Sequence, residues 1–319
     1  MNRIKRLENT VKIQDIWGKY STVAILVALT VIFNLLGQES WPLESYENII
    51  ASNAGVMLTV VGLSFIMIGG GIDLSIGYQI STVAVVISLL SMEKLPDWVV
   101  IVGALLVGVC CGLLNGILVG FLEIVPFAAT IATQIIFRGI SFVLSSGRMV
   151  SYIAATVRQI ARTYFLGIRI DIWLVIVGFL LLWFVLRYSY VGKYLRAVGL
   201  NEAAAIRARV KVKGIKCLSY CVASLFYSVA AMVMVSRRGY AGSEIGVGME
   251  ITAIVAAYVG GILSMAEKQS VVTLFLGTLV VAVIENGLTK IGMNTSVQYI
   301  ITGIILIISM TLHKRQKKA

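Results

Sequence analysis

The sequence predicts an all-α, polytopic integral membrane helix bundle. Three observations lead there. Residues of the AVILMFWYC set make up 59% of the 319 residues. Only 13% are charged, whereas a soluble domain uses roughly a quarter to cover its surface. The apolar residues fall in runs close to the length of a bilayer crossing, about 20 residues per helix. In lipid every backbone polar group must be satisfied internally, which runs of this length achieve as helices. These features exclude a soluble enzyme, a disordered chain and a secreted disulfide scaffold.

Ten hydrophobic segments follow one another, at 21–36, 48–69, 72–91, 97–120, 125–145, 171–186, 216–236, 249–264, 270–288 and 298–312. The third, eighth and tenth are short or start at glycines, which points to broken or partial helices. Segments two and three are separated only by Gly69-Gly70-Gly71, so they read either as two spans or as one span broken at depth. The whole of 1–319 reads as one transmembrane domain. It comprises a basic segment 1–20, an amphipathic loop 146–170, a charged loop 187–215 and a basic tail 313–319. The first span lacks a small-residue cleavage site and is expected to act as its own insertion signal.

Net charge is +12 with a pI near 9.6. With both termini in the cytosol and the spans alternating, most of the 27 Lys and Arg fall on the cytosolic side, as the positive-inside rule requires. Arg148, Arg158, Arg162 and Arg169 oppose it, all in the external loop 146–170. The basic residues are not interleaved with exposed aromatics, so nucleic-acid binding is not implied. Cys110, Cys111, Cys217 and Cys221 sit in apolar stretches as small buried hydrophobes. The single histidine, His313, leaves no Cys/His metal set.

Chemistry-bearing residues cluster at a few places. In Gly69-Gly70-Gly71-Ile72-Asp73-Leu74-Ser75-Ile76-Gly77 the glycines disfavour a continuous helix. Asp73 then suits the cap of the helix that follows. That motif reads either as a structural cap or as a half-helix terminus on a polar solute path. Within spans lie Asn115, Thr130, Thr133, Gln134, Arg138, Glu250, Glu285 and Asn286. Thr130, Gln134 and Arg138 share a helix face at i, i+4 and i+8. Such groups are costly at membrane depth and face the bundle interior. Neutral amides and hydroxyls suit hydroxyl-rich solutes, and they also serve as interhelical glue. Arg138 and Glu285 read either as an interhelical pair or as solute contacts. In the loop 146–170, Ile153, Val157, Ile160 and Tyr164 recur at helical spacing with Arg158 and Arg162 on another face. In the loop 187–215, Asn201-Glu202-Ala203-Ala204-Ala205-Ile206 reads as a capped short helix followed by Arg207, Arg209, Lys211 and Lys213.

The stretch Gly-Gly-Ile-Asp-Leu-Ser-Ile-Gly resembles the signature of the membrane permeases of sugar-importing ABC transporters, the ribose/xylose/galactose/autoinducer-2 type. The similarity continues through Val125-Pro126-Phe127-Ala128-Ala129-Thr130, Phe137-Arg138-Gly139 and Val191-Gly192-Lys193-Tyr194. It then runs through Gly199-Leu200-Asn201-Glu202-Ala203-Ala204, Glu250, Gly260-Gly261 and Glu285-Asn286-Gly287-Leu288. The resemblance implies a non-catalytic permease subunit in the cell's inner membrane, paired with a second permease chain. It implies a cytosolic ATPase gripping Asn201, Glu202, Ala203, Ala204, Arg207 and Arg209. An external binding protein would deliver a sugar-like solute, with Arg158 and Arg162 as its landing surface. Solute-path candidates are Asp73, Ser75, Asn115, Thr130, Gln134, Arg138, Glu250, Glu285 and Asn286. The chain itself needs no cofactor; ATP and Mg would belong to the partner, since Gly18-Lys19-Tyr20 and Gly192-Lys193-Tyr194 lack a phosphate-cradling context. Relatives follow the alanines with Ser-Gly-Ile where this chain has Ala208-Arg209-Val210, and they carry a second glycine pair where it has Ile262–Gln269.

Two rivals remain open at this level. An ion-gradient-driven secondary transporter would use Asp73, Glu250 and Glu285 as proton or sodium groups. An ABC permease for nucleosides or branched-chain amino acids would share the same architecture.

Overall fold

The computed structural model describes residues 22–36, 43–262 and 270–316. The basic segment 1–20, the turn expected after Ile262 with Lys268, and the tail beyond 316 lie outside the described residues. The described chain is an all-α membrane bundle. Each of the ten apolar segments contains a helix. Five helices are long and apolar enough to cross a membrane, and a bent pair makes six. Thr22–Leu36, Ile76–Met92, Met249–Val259 and Ser296–Ile308 are shorter apolar stretches.

The elements run as follows. Helix α1 is Thr22–Leu36. Helices α2 (Leu43–Ser52) and α3 (Ala54–Ile68) meet at Asn53 with a 48° bend. Asn53 absorbs the break by donating its side-chain amide to the Ile49 carbonyl at 3.0 Å. After the glycine turn comes α4 (Ile76–Met92), then α5 (Asp97–Gly116). A π-helical turn, Ile117–Phe121, extends α5. Helix α6 (Pro126–Ser145) starts at a proline, whose missing N–H has no partner to lose in a first turn.

The break between sequence segments two and three is real: α3 ends at Ile68 and α4 begins at Ile76. Helix α11 (Val212–Arg238), the longest at 27 residues or about 40 Å, packs against α3, α4 and α5. Its contact with α5 is a ridge of small residues. Gly108, Gly112, Gly116 and Gly120 recur every fourth residue of that strand of helix, and Cβ atoms there would run into Ser228, Ser224, Cys217 and the Lys213 carbonyl of α11. Without a hydrophobic driving force between helices in lipid, such close backbone approach is what holds them. Cys111 and Cys217 are buried as expected, but Cys221 is only half-buried and Cys110 is exposed on α5.

The loop 146–170 is only partly helical. Helix α7 (Ala155–Gln159) has one turn and a half. A two-stranded hairpin, β1 (Tyr164–Phe165) with β2 (Ile168–Arg169), follows it. Ile153 and Val157 are buried and Ile160 packs on the core as the spacing predicts, but Tyr164 points outward from the hairpin. Its chain has already left the helix after Gln159. This end of the bundle is knitted by side chains. Asp97 accepts from the Thr156 amide and hydroxyl at 2.8 and 2.6 Å. Ser91 accepts from the Ala154 amide, and Ser236 links the Ala161 amide to the Arg158 carbonyl.

Helix α8 (Ile170–Tyr188) leads from the hairpin back along the bundle. Its first turn holds Asp171, which is wholly buried and accepts from Arg169 at 2.6 Å and Arg237 at 3.2 Å. Arg169, one of the four arginines that oppose the expected positive-inside pattern, is thus neutralised locally, as is Arg237 of α11. At the opposite end, Ser189 caps α9 (Tyr190–Leu200), and Asn201 caps α10 (Glu202–Arg207) by accepting from the Ala204 amide at 2.9 Å. Beyond α11 the chain dips back into the bundle. Gly248, at φ +89° where a side chain would be strained, starts α12 (Met249–Val259). Helices α13 (Val271–Lys290) and α14 (Thr295–Gln316) complete the fold.

Two outcomes test this architecture. Gly112→Leu forces a side chain into the α5–α11 contact and is expected to destabilise the bundle by about 1–3 kcal/mol, read as a lower unfolding temperature in detergent. Asp171→Ala leaves two largely buried guanidinium groups without their anion and is expected to cost about 3–5 kcal/mol. An unfolding temperature equal to that of the parent protein would remove Asp171 from that role.

Candidate functional site

The glycine turn organises a buried polar hub. Gly70 takes φ +82°, reversing the chain so that Ile72 to Ser75 lead into α4. Asp73 Oδ1 accepts from the Ser75 amide at 2.8 Å and the Ser75 hydroxyl at 2.6 Å. Gln79, one turn into α4, donates its amide to Ser75 Oγ at 2.7 Å and to Asp73 Oδ2 at 3.3 Å. Asn115 of α5 donates to Ser75 Oγ at 2.8 Å and accepts from Thr133 of α6 at 2.6 Å. Ser224, near the middle of α11, donates to Gln79 Oε1 at 2.7 Å. Tyr220 donates to the Ile72 carbonyl at 2.8 Å. One residue set thus ties the turn to three other helices, and Asp73, Ser75, Asn115, Thr133 and Ser224 are all wholly buried.

The arrangement explains the residue types. In a bilayer the freed backbone groups of a broken helix need protein partners, and hydroxyls and amides both donate and accept. Sequence reading found Asp73, Ser75, Asn115 and Thr133 but gave Gln79, Ser224 and Tyr220 no role. The available signal was Gln79 at i+4 from Ser75 in an otherwise apolar helix.

The remaining candidates separate. Thr130 is buried and spends its hydroxyl on the Pro126 carbonyl of its own helix. Gln134 is half-buried and Arg138 exposed, so the shared face of α6 emerges from the bundle toward Arg138. The Arg138 guanidinium lies 5.8 Å over the Tyr78 ring and 5.9 Å over that of Phe142. Among the described residues Arg138 and Glu285 form no ion pair, with each other or with any other group; Glu285 meets the Thr252 hydroxyl instead. Glu250 stands in the first turn of α12 beside Gly77 of α4, and Gly246 donates to Ser81 of α4 at 3.1 Å. The N-termini of α4 and α12 therefore meet. Asn286 accepts from Ser52 at 3.3 Å, joining α13 to the α2–α3 bend.

The second polar centre is α10. Of its six residues only Ala205 is buried. Ala203, Ala204, Arg207 and Arg209 are exposed, and Glu202 pairs with Lys216 of α11 at 2.7 Å. Arg209 stands where relatives of the resembled type have glycine and adopts φ +60°. This left-handed backbone costs a non-glycine residue about 1–2 kcal/mol. Next to it Lys213 reaches Glu123, just past the π-turn, at 2.6 Å. That hydrogen bond and charge hold the Glu123 carboxyl below the usual carboxylate range. A cavity of about 300 Å³ separates α10 from the glycine turn. At the other end of the bundle, Arg158 and Arg162 are both exposed.

Comparison with known proteins follows this geometry. The chain is 29% identical to the ribose import permease protein RbsC of Haemophilus influenzae over 290 residues, covering 89% of this chain and 90% of that protein. It is 27% identical to the D-allose transport system permease protein AlsC of Escherichia coli, over 93% and 92% of the two chains. It is 30% identical to the galactose/methyl galactoside import permease protein MglC of Haemophilus influenzae, over 85% and 86%. No solved structure matches the chain. Residues 45–310, which hold the glycine turn, the hub and α10, match the family described as branched-chain amino acid transport system / permease component, and the chain belongs to that family.

Proposed function

We propose that this chain is the permease subunit of an ATP-driven importer for a sugar or sugar-like solute. The observation that carries the reading is α10. It is a capped six-residue helix with a single buried residue, standing clear of an otherwise apolar bundle. An uncovered helix of that kind calls for a protein partner. Family membership supports the ATP-driven reading over an ion-gradient transporter. The ribose, allose and galactose named for the relatives support a sugar over a branched-chain amino acid or a nucleoside.

In this reading the α10 end faces the cytosol of a cell with its permease in the inner membrane, and both termini lie on that side. Asn201, Glu202, Ala203, Ala204, Arg207 and Arg209 meet a separate ATPase, which binds ATP and Mg. A second permease chain, identical or similar, faces this one across the solute path. Helix α6 is the least buried of the five long spans and presents Gln134 and Arg138 to that path, to which α12 and α13 add Glu250 and Glu285. Asp73, Ser75, Asn115 and Thr130 support the path wall from behind. The hairpin end faces outward, where a binding protein docks on Arg158 and Arg162. Asn286 holds helices together at that end.

Three measurements check this. Proteoliposomes holding the permease, the ATPase and the binding protein should accumulate solute with ATP on the ATPase side and every ion gradient collapsed; uptake that needs a gradient and ignores ATP refutes the reading. Glu202→Lys should leave a folded, membrane-inserted chain that no longer co-purifies with the ATPase, and Lys216→Glu added to it should not restore association. Normal co-purification of the single variant removes Glu202 from the contact. Reversing Arg158 and Arg162 together to Glu should slow binding-protein association and flatten its salt dependence; unchanged association removes them from the docking surface.

A further inference from the structure

Gly199 closes α9 against the glycine turn with no side chain between the two. A Cβ at Gly199 would overlap the Ile68 carbonyl oxygen and stand 3.3 Å from the Gly70 amide nitrogen. A Cβ at Gly70 would in turn lie 3.6 Å from the Gly199 Cα. Backbone therefore rests on backbone, two residues before the Asn201 cap of α10. The 300 Å³ cavity opens beside this contact, lined by Gly69, Gly71, Asn201, Glu202, Ser219 and Tyr220 among others.

Each polar side chain of its lining already holds a partner within the protein. Glu202 pairs with Lys216. Asn201 holds the Ala204 amide, Ser219 donates to the Lys216 carbonyl, and Tyr220 donates to the Ile72 carbonyl. Protein interiors are close-packed and pass displacement on, whereas the partly open cavity beside α10 leaves space into which that helix can move. Beyond the turn, Ile72 and Asp73 lead directly into the hub and α4.

We propose that Gly199 is a positioning residue for transport. Displacement of α10 passes through the Gly199–Gly70 backbone contact into the Gly69–Gly71 turn and the N-terminus of α4, and the cavity is the clearance that closes during that movement. This inference rests on the ATP-driven reading above.

The test uses the assembled permease, ATPase and binding protein in proteoliposomes. Gly199→Ala wedges the two backbones apart. Ser219→Leu fills the clearance, and its lost hydroxyl only served its own helix. Gly214→Ala is the control, since a Cβ there meets nothing within 4 Å. Gly199→Ala and Ser219→Leu should co-purify with the ATPase and sustain ATP hydrolysis while solute uptake falls about 5- to 150-fold, the usual range of a coupling between sites. Gly214→Ala should transport normally. Parental uptake rates in Gly199→Ala and Ser219→Leu overturn the proposal. So does loss of ATPase association in step with uptake, which would make the contact a mere support for docking. If Gly199→Ala does not fold, Ser219→Leu decides. Failure of the parent complex to take up solute with ATP would instead count against the transport reading itself.

Discussion

A helix that stops inside a bilayer leaves backbone donors and acceptors that no water can reach, at several kcal/mol each. The turn from Gly69 to Ser75 is where this fold meets that constraint, and much of the rest is arranged around its solution. Asp73 accepts from the Ser75 amide and hydroxyl just ahead of α4, with no side chain capping the helix itself, Gln79 doubles back on both, and Asn115, Thr133 and Ser224 close the network from α5, α6 and α11. For those side chains to arrive, α11 must lie within hydrogen-bond reach of α4 and flush against α5. The four-residue glycine ridge on α5 makes that approach possible. The hub and the ridge are thus two halves of one requirement.

Charge is handled differently at the two ends. At the hairpin end, Asp171 is wholly buried and gathers two arginines, so removing it strands charge in a poorly hydrated place. At the α10 end, Glu123–Lys213 and Glu202–Lys216 have at least one side chain well exposed. Pairs of that kind contribute little to stability and leave the charges accessible to a partner. The first end is fixed by a buried charge cluster, and the second keeps its charges at the surface. Arg209 belongs to the second: its left-handed turn is strained, yet the exposed guanidinium remains beside α10.

Much of the fold was legible in the residues. Apolar run length located helices in all ten segments, and Asn201 announced the α10 cap because an amide before a Glu-Ala-Ala-Ala run has one favoured use. The loop 146–170 was legible only halfway. Ile153 and Val157 follow the helical spacing, but Leu166-Gly167, with both residues at positive φ, turns the chain into a hairpin and sends Tyr164 outward. Of the candidate site residues, periodicity placed Thr130, Gln134 and Arg138 on one face, yet it did not say that the face runs from core to surface.

By itself, then, the sequence determined the solvent this protein lives in, the positions of its helices and the break at three glycines, because these depend on local composition and backbone preference. Only the tertiary structure decided that the flanking segments are two helices set around α11 and that Asp73 is enclosed by amides and hydroxyls. It also decided that Asp171 answers arginines from two elements and that Gly199 sits on Gly70. Each of these is a contact between residues far apart in the chain, selected by which helices can approach closely enough to satisfy buried polar groups, and no local pattern encodes that distance.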